Sequence, residues 1–358
     1  MSIRIAAHAL PSGEAIDLTI QDGLWSDEYS LDLDDRITGW ALPGLVDVHT
    51  HPGAQKPGQA IDEELLRKQL SKNIDQGVTA IRSPGLASNP PDWFGTDSEL
   101  PRAFHAGPWL AQPGQFITGW GRRISNSDFP RTAAAQAATT GWCKIIADWG
   151  IDDECISEEL MAAIVSAVHG VGGRVAVHSQ NESGSAAAVR AGVDSLEHGM
   201  WLDESLLDLM SKQGTVLVPT MKVFSLSVDR FLAQEDSPKR DWYVGGTQRH
   251  PALIKSASEA GVRILAGTDS PEFSIVAEIK ELAAAGLTPT EAIGAASWLA
   301  RDFLGLSSFQ PGASADAVIY SEDPRENLDI LDFPEWVILR GKVLRRPKIG
   351  NEPAENRQ

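Results

Sequence analysis

The chain has 358 residues, 42% of them hydrophobic, enough to bury a sizeable core in one large domain, or in a large one plus a small one. With 31 Lys+Arg against 49 Asp+Glu, the formal net charge is −18, which argues against nucleic acid or an anionic membrane as partner, because binding phosphate is mostly cationic contact. Two cysteines, Cys143 and Cys155, exclude a disulfide-rich scaffold, and no apolar run reaches the roughly 18 residues of a membrane span.

The first eight residues contain no long apolar stretch, so no signal peptide is visible and a cytoplasmic location is expected. Residues 1–43 read as short strands. The segment 16–20 alternates, and Asp22-Gly23 carries a hairpin signal. From residue 44 the rhythm changes: short runs of Val, Ile and Ala alternate with longer amphipathic stretches, as in βα units with a parallel sheet. Strands are predicted at 44–49, 78–82, 108–111, 142–146, 174–178, 195–198, 215–219 and 262–266. Helices are predicted at 63–76, 158–169, 185–191, 204–212, 252–260, 275–285 and 289–304. Gly77, Gly170, Gly192, Gly214 and Gly261 stand at helix ends as C-cap signals. Eight strands followed by helices over 44–310 suit a (β/α)8 TIM barrel, typically about 250 residues long. Residues 317–320 and 336–343 again read as strands. A small β-sandwich domain built from both chain ends, 1–43 and 311–358, is therefore expected. The polar residues 351–358 are expected to fray.

The chemistry should sit where barrel strands end at their C-terminal face. The first strand ends Val46-Asp47-Val48-His49-Thr50-His51, and residues i and i+2 of a strand point the same way, so His49 and His51 can both enter the barrel mouth. Lys144 lies in the middle of the apolar fourth strand, where an ammonium must escape burial or be chemically altered. His178 and His198 end strands five and six, and Asp269 follows Gly267-Thr268 at the eighth. Taken singly, each has a plain structural explanation: a satisfied core histidine, a loop or N-cap aspartate. Their joint placement, with four of the eight histidines at three strand ends, points to zinc or another divalent transition metal, as one or two ions. A bound water would be acidified towards neutrality, with Asp269 as proton acceptor and catalytic residue. His8, His105, His169 and His250 do not fit the pattern.

These segments resemble the amidohydrolase superfamily, closest to the imidazolonepropionase-like and prolidase-like branch with a lysine on strand four. The resemblance rests on Leu42-Pro43-Gly44-Leu45-Val46-Asp47-Val48-His49-Thr50-His51, Gly77-Val78-Thr79-Ala80-Ile81-Arg82, Ala191-Gly192-Val193-Asp194-Ser195-Leu196-Glu197-His198-Gly199, Ala266-Gly267-Thr268-Asp269 and the segment 311–319. It spans nearly the whole chain. It implies one metal on His49, His51 and Asp269, a second on His178 and His198, and a carboxylated Lys144 bridging both. It also implies attack of a bridging hydroxide on a carbonyl carbon, with Asp269 returning the proton to the leaving nitrogen.

Three positions depart from the family pattern. Asn181 stands where related deaminases carry an acid–base Glu, with Glu182 one further on. Arg82 is followed by Ser83-Pro84 where relatives often continue Arg-Asp. Phe224 stands where relatives often have a Tyr. Trp is 11 residues against 3 Tyr, and Trp120, Trp149 and Trp201 follow strands three, four and six on the catalytic face. They are expected to line an apolar or aromatic substrate pocket, with plain core packing as the competing reading. Lys222 is a further candidate substrate contact. Arg122 and Arg123 could pair with a substrate carboxylate, but surface solvation explains them as well. The expected activity is hydrolysis of a C–N bond in an N-acyl amino acid, dipeptide or cyclic amide. A lactonase or phosphotriesterase, a deaminase and a non-catalytic scaffold are the alternatives. The expected partner is a small-molecule substrate, with a homo-oligomer left open.

Overall fold

Alternating burial of Ile3, Ile5, Ala7 and Ala9 makes Ile3–Ala9 a strand with one face in a core. The computed structural model describes residues 3–28, 35–151 and 154–346, so the expectation for 351–358 lies outside the described residues. Ile3–Ala9 pairs antiparallel with Glu14–Gln21 and parallel with Asp35–Ile37 and Trp40–Leu42. Trp40–Leu42 pairs in turn with Ala317–Tyr320, which leads to Trp336–Leu339 and Lys342–Arg345. Strands from both ends of the chain thus share one eight-stranded sheet, around Ile5, Trp25, Ile37, Ala41, Ile319 and Ile338.

The middle of the chain forms a parallel ring. Leu45–Asp47, Val78–Ser83 and Arg102–His105 pair in that order, and Leu110–Ala111, Trp142–Ile146, Arg174–Ser179, Ser195–His198 and Val216–Val218 form a second parallel run. Segment 102–111 joins the two, because its first half pairs with the second barrel strand and its last residues pair with the fourth. Leu217 meets Ile264 in a parallel bridge, and the Val48 N–H donates to the Ala266 carbonyl at 3.0 Å, closing the ring. The barrel is therefore present, as expected. Its third strand starts at Arg102 and not at 108: Pro108 has no N–H for the ladder, so the apolar run 108–111 marks only the far half of this segment. Among the described residues, 262–266 carries a single bridge instead of an extended strand.

The helices at Glu63–Asp75, Glu158–His169 and Ile275–Ala284 lie where the periodicity puts them. Glu158–His169 starts at Ser157, whose Oγ accepts from the Leu160 N–H at 3.2 Å. Four of the five glycines proposed as caps have positive φ; Gly170 is right-handed, and Gly172 makes the turn instead. The stretch 289–304 divides into Pro289–Ala295 and Trp298–Phe303, because Ser297 leaves helical geometry and its Oγ donates to the Gly44 carbonyl at 3.0 Å. Three helical stretches exceed expectation. Phe129–Thr140 and Met221–Leu232 are additional, and Pro238–Glu259 starts well before residue 252. Gly245, Gly246 and Pro251 read as breaks in that last helix. At Gly246, however, a Cβ would come within 2.6 Å of the Met200 side chain, so the glycine serves close packing. Among the described residues no helix is long and apolar enough to cross a membrane.

Candidate active site

Strand periodicity delivers His49 and His51 to the same end of the barrel. His49 is buried, His51 is half-buried, and their Nε2 atoms are 3.1 Å apart. Asp269 Oδ1 lies 3.2 Å from both. Asp269 reaches them from left-handed backbone (φ 53°), with its N–H donating to the His49 carbonyl at 2.7 Å. Gly267 permits this approach, because a Cβ there would stand 2.5 Å from that of His49.

The other ring nitrogens determine which lone pairs face inwards. His49 Nδ1 lies 2.6 Å from Glu197 Oε2, and His51 Nδ1 lies 2.7 Å from the Gly85 carbonyl. Both acceptors are oxygens, so each Nδ1 carries the donated proton and each neutral Nε2 presents a lone pair. Two nitrogen lone pairs and a carboxylate oxygen therefore converge. That is a donor set for a cation, and these three ligand atoms all lie within 4.8 Å of one another.

His178 and His198 stand beside this group, with ring centroids 4.5 Å apart and His198 5.2 Å from His49. His198 has φ 70°, and its Nδ1 lies 2.8 Å from Thr220 Oγ1; Thr220 is itself left-handed at φ 51°. Such backbone is costly for non-glycine residues and is characteristic of functional sites. Lys144 Nζ and His178 Nε2 are buried with no hydrogen-bond partner among the described residues. Unpaired buried polar groups are expensive. Two of them beside the converging lone pairs fit a second metal position, or one ion with a modified lysine.

The electrostatics keep three of the four imidazoles, His51, His178 and His198, in the neutral form that ligands require. Burial lowers His198 to about 3 and His178 well below its ordinary value, the latter helped by the neighbouring His198 and Lys144. His51 is also lowered, chiefly by burial. For His49 burial acts downwards, but the Glu197 and Asp269 carboxylates outweigh it and raise the group. Burial brings Lys144 down to about 8, with Arg82 adding to the effect. Against the effect of burial, the neighbouring His49, with His51 and His198, holds Asp269 well below the ordinary carboxylate range.

Behind His49 lies a pair that the sequence reading passed over. Arg82 Nη2 donates to Glu197 Oε1 at 2.8 Å, Arg82 Nε donates to the Val48 carbonyl at 2.6 Å, and Ser195 Oγ donates to Glu197. Both charged side chains are buried. A signal was present: Glu197, like Lys144, is an ionisable residue inside a predicted barrel strand, and the same burial argument applies to it.

A cavity of about 590 Å³ opens over these groups. His49, His51, Lys144, His178, His198 and Asp269 all line it, as do Trp120 and Trp149. Trp109 and Phe116 join them: Trp109 stacks on Trp120 at 5.5 Å, and Phe116 meets Trp149 edge-on at 4.9 Å. The sequence reading missed both, since Trp109 falls inside an apolar strand candidate and Phe116 in an unpatterned loop. Trp201 stands outside this cavity; it lines a neighbouring one with Trp242, under the Arg249 guanidinium. Lys222 also stands outside: it belongs to helix Met221–Leu232, and its Nζ donates to Glu281 Oε1 at 2.9 Å. Both thus lie off the lining of this cavity, because the path of a loop after its strand depends on packing and not on local pattern. Asn181 turns away, with Nδ2 donating to the Gly150 carbonyl at 2.9 Å, and Phe224 is buried edge-on against His198.

The sequence profile described as the Amidohydrolase family matches residues 40–344. An uncharacterised protein of Mycobacterium tuberculosis is 34% identical over 366 residues, covering 95% of each chain. The ochratoxinase of Aspergillus niger is 31% identical over 198 residues, 51% of this chain and 40% of that one. Its crystal structure superposes with a TM-score of 0.80 over 98% of this chain and 97% of that one, at 22% identity. A crystal structure of an Xaa-Pro dipeptidase gives a TM-score of 0.80 over 96% and 99%, at 23% identity. With a barrel whose strand ends gather His49, His51 and Asp269 in a possible metal site, and a family match over most of its length, this chain belongs to the amidohydrolase family and is a hydrolase acting on carbon–nitrogen bonds.

Proposed function

We propose that the protein hydrolyses the amide bond of a small molecule, an N-acyl amino acid, dipeptide or cyclic amide, at a divalent-metal centre in the cytoplasm. His49, His51 and Asp269 would hold one ion, and His178 and His198 a second. A bound divalent ion, zinc above all, lowers the pKa of a coordinated water and polarises a carbonyl oxygen. The observation that carries the reading is the meeting, in one aromatic-walled cavity, of three converging ligand atoms with the unpaired Lys144 Nζ and His178 Nε2.

The chain's own residues have distinct tasks. Lys144, with its amine brought down to about 8, is partly unprotonated near neutral pH and can add carbon dioxide, losing a proton to become an anionic carbamate. That turns a buried cation into an oxygen ligand. Asp269 Oδ1, beside both Nε2 atoms, can accept a proton and return it to the leaving nitrogen. Trp109, Phe116, Trp120 and Trp149 exclude water and orient the substrate's apolar part. A deaminase is less well supported, because the Asn181 side chain is engaged with the Gly150 carbonyl. The relatives named for dipeptides and for ochratoxin agree with an amide substrate.

The test is a screen of the zinc-supplemented protein against N-acyl amino acids, dipeptides, lactones and organophosphates. Turnover of amides in preference to the other classes is the expected result. Turnover of lactones or phosphotriesters alone, or of nothing, overturns the proposal.

A further inference from the structure

We infer that His250, which does not fit the strand-end pattern, is a positioning residue for the ligand imidazole of His198. Its Nε2–H holds the His198 backbone carbonyl, and with it the turn that aims the His198 ring. This rests on the reading above, in which His178 and His198 take a second ion.

His250 lies on helix Pro238–Glu259 and is 1% exposed. Its Nε2 stands 2.9 Å from the His198 carbonyl oxygen. A carbonyl only accepts, so Nε2 carries the proton and Nδ1 keeps a bare lone pair. That Nδ1 is buried with no hydrogen-bond partner among the described residues. An unpaired buried acceptor is destabilising, and an apolar side chain of similar size would fill the space without it. Packing alone therefore does not favour an imidazole here. What the imidazole supplies beyond packing is the bond to His198.

That bond holds strained backbone. His198 ends its strand at φ 70°, a left-handed conformation that a residue with a Cβ enters only at a cost. From it the His198 ring meets His178 and His49, with centroids 4.5 and 5.2 Å away. Relaxation to extended backbone would swing the Cα–Cβ bond, and the ring with it, out of that position. Three contacts oppose this. Thr220 Oγ1 meets the ring at Nδ1, Phe224 stands edge-on to both imidazoles, and His250 takes the backbone carbonyl.

The helix is placed for the task. Gly246, Arg249 and His250 share one face, at the spacing of one helical turn. Gly246 packs on Met200, the Arg249 guanidinium lies 5.2 Å over Trp201, and His250 meets His198. Helix and turn thus dock along residues 198–201, which fixes the separation of the Nε2–H and its carbonyl.

Two substitutions separate this role from packing. His250→Met keeps an apolar side chain of similar length without an N–H, and His250→Gln keeps an N–H at about the same reach. The full-length protein, freed of metal by a chelator, is titrated with cobalt(II); visible absorption and metal analysis report the number and affinity of bound ions. The unmodified protein is expected to take two, of which His198→Ala identifies the one that His198 holds. His250→Met is expected to weaken that ion by about 10- to 100-fold and to leave the other unchanged, and His250→Gln to restore it. Unchanged affinities in His250→Met, equal weakening of both ions, or the same loss in His250→Gln overturns the inference. If His250→Met does not fold, a folded His250→Gln decides: two ions at native affinity support the inference and loss of one overturns it. If the unmodified protein takes a single ion, the two-ion reading fails. The inference then stands if His250→Met weakens that ion and His250→Gln does not, and falls otherwise. No uptake at all refutes both.

Discussion

His49 Nδ1 and Glu197 Oε2 lie 2.6 Å apart although 148 positions separate them in the chain. The contact orients the ring so that Nε2 faces His51 and Asp269, and it keeps the inward lone pair free. Arg82 in turn holds Glu197, and against the effect of burial it keeps that carboxyl well below its ordinary range. A ligand imidazole held by a carboxylate is more basic and better aimed.

Glu197→Gln keeps the shape and removes the charge. It is expected to weaken metal retention by roughly 10- to 100-fold. Competitive metal titration against a chromogenic chelator measures this directly, and an unchanged affinity would refute the orienting role. The variant also leaves Arg82 buried without its counter-charge, so a melting temperature several degrees lower is expected as well.

Asp269→Asn retains an oxygen ligand and loses the proton acceptor. Turnover is expected to fall by about 10²- to 10⁴-fold, with metal still bound. Lys144→Ala should instead cost metal stoichiometry together with activity. Metal analysis of the two purified variants separates these outcomes; full metal content and turnover in Lys144→Ala would exclude a bridging carbamate.

The aromatic positions divide into two groups. Trp149→Ala and Phe116→Ala alter the cavity wall and should raise KM about tenfold. Trp201→Ala, which lies outside that cavity, should leave KM unchanged. Steady-state kinetics on any amide found in the screen distinguish the groups, and equal effects at Trp149 and Trp201 would move the substrate site.

Glu278 links stability to pH. It is buried in helix Ile275–Ala284, accepts the Met221 and Lys222 N–H groups at 2.8 Å each, and is pushed by burial up to about 8 against those two bonds. Its ordinary value is 4.5, so between about 4.5 and 8 the native state binds more protons than the unfolded state. The contribution is fully present below the unfolded value and is lost as pH rises through the folded one. Glu278→Gln does not titrate. Its melting temperature relative to the unmodified protein should therefore climb from pH 5 to pH 8, and a flat difference would contradict the assignment.

Much of the candidate site was legible from local pattern. A strand alternates with period two, so His49 and His51 had to share a side, and barrel strands end at one face, so His178, His198 and Asp269 had to gather near them. Lys144 was identified by the cost of burying an ammonium. These are properties of neighbouring residues, or of the repeating unit, and they need no knowledge of distant contacts. The remainder needed the folded chain. Glu197 meets Arg82 across 115 positions, and Trp109 reaches the cavity from the gap between Arg102–His105 and Leu110–Ala111. Trp201 and Lys222 follow their strands as Trp120 and Trp149 do, yet packing under Arg249 and pairing with Glu281 carry them away from the cavity. The sequence by itself therefore determined which candidate ligand side chains the barrel mouth collects. Only the tertiary structure decided which side chains wall that mouth and what charge they present, because loop direction and long-range pairing depend on how the whole chain packs.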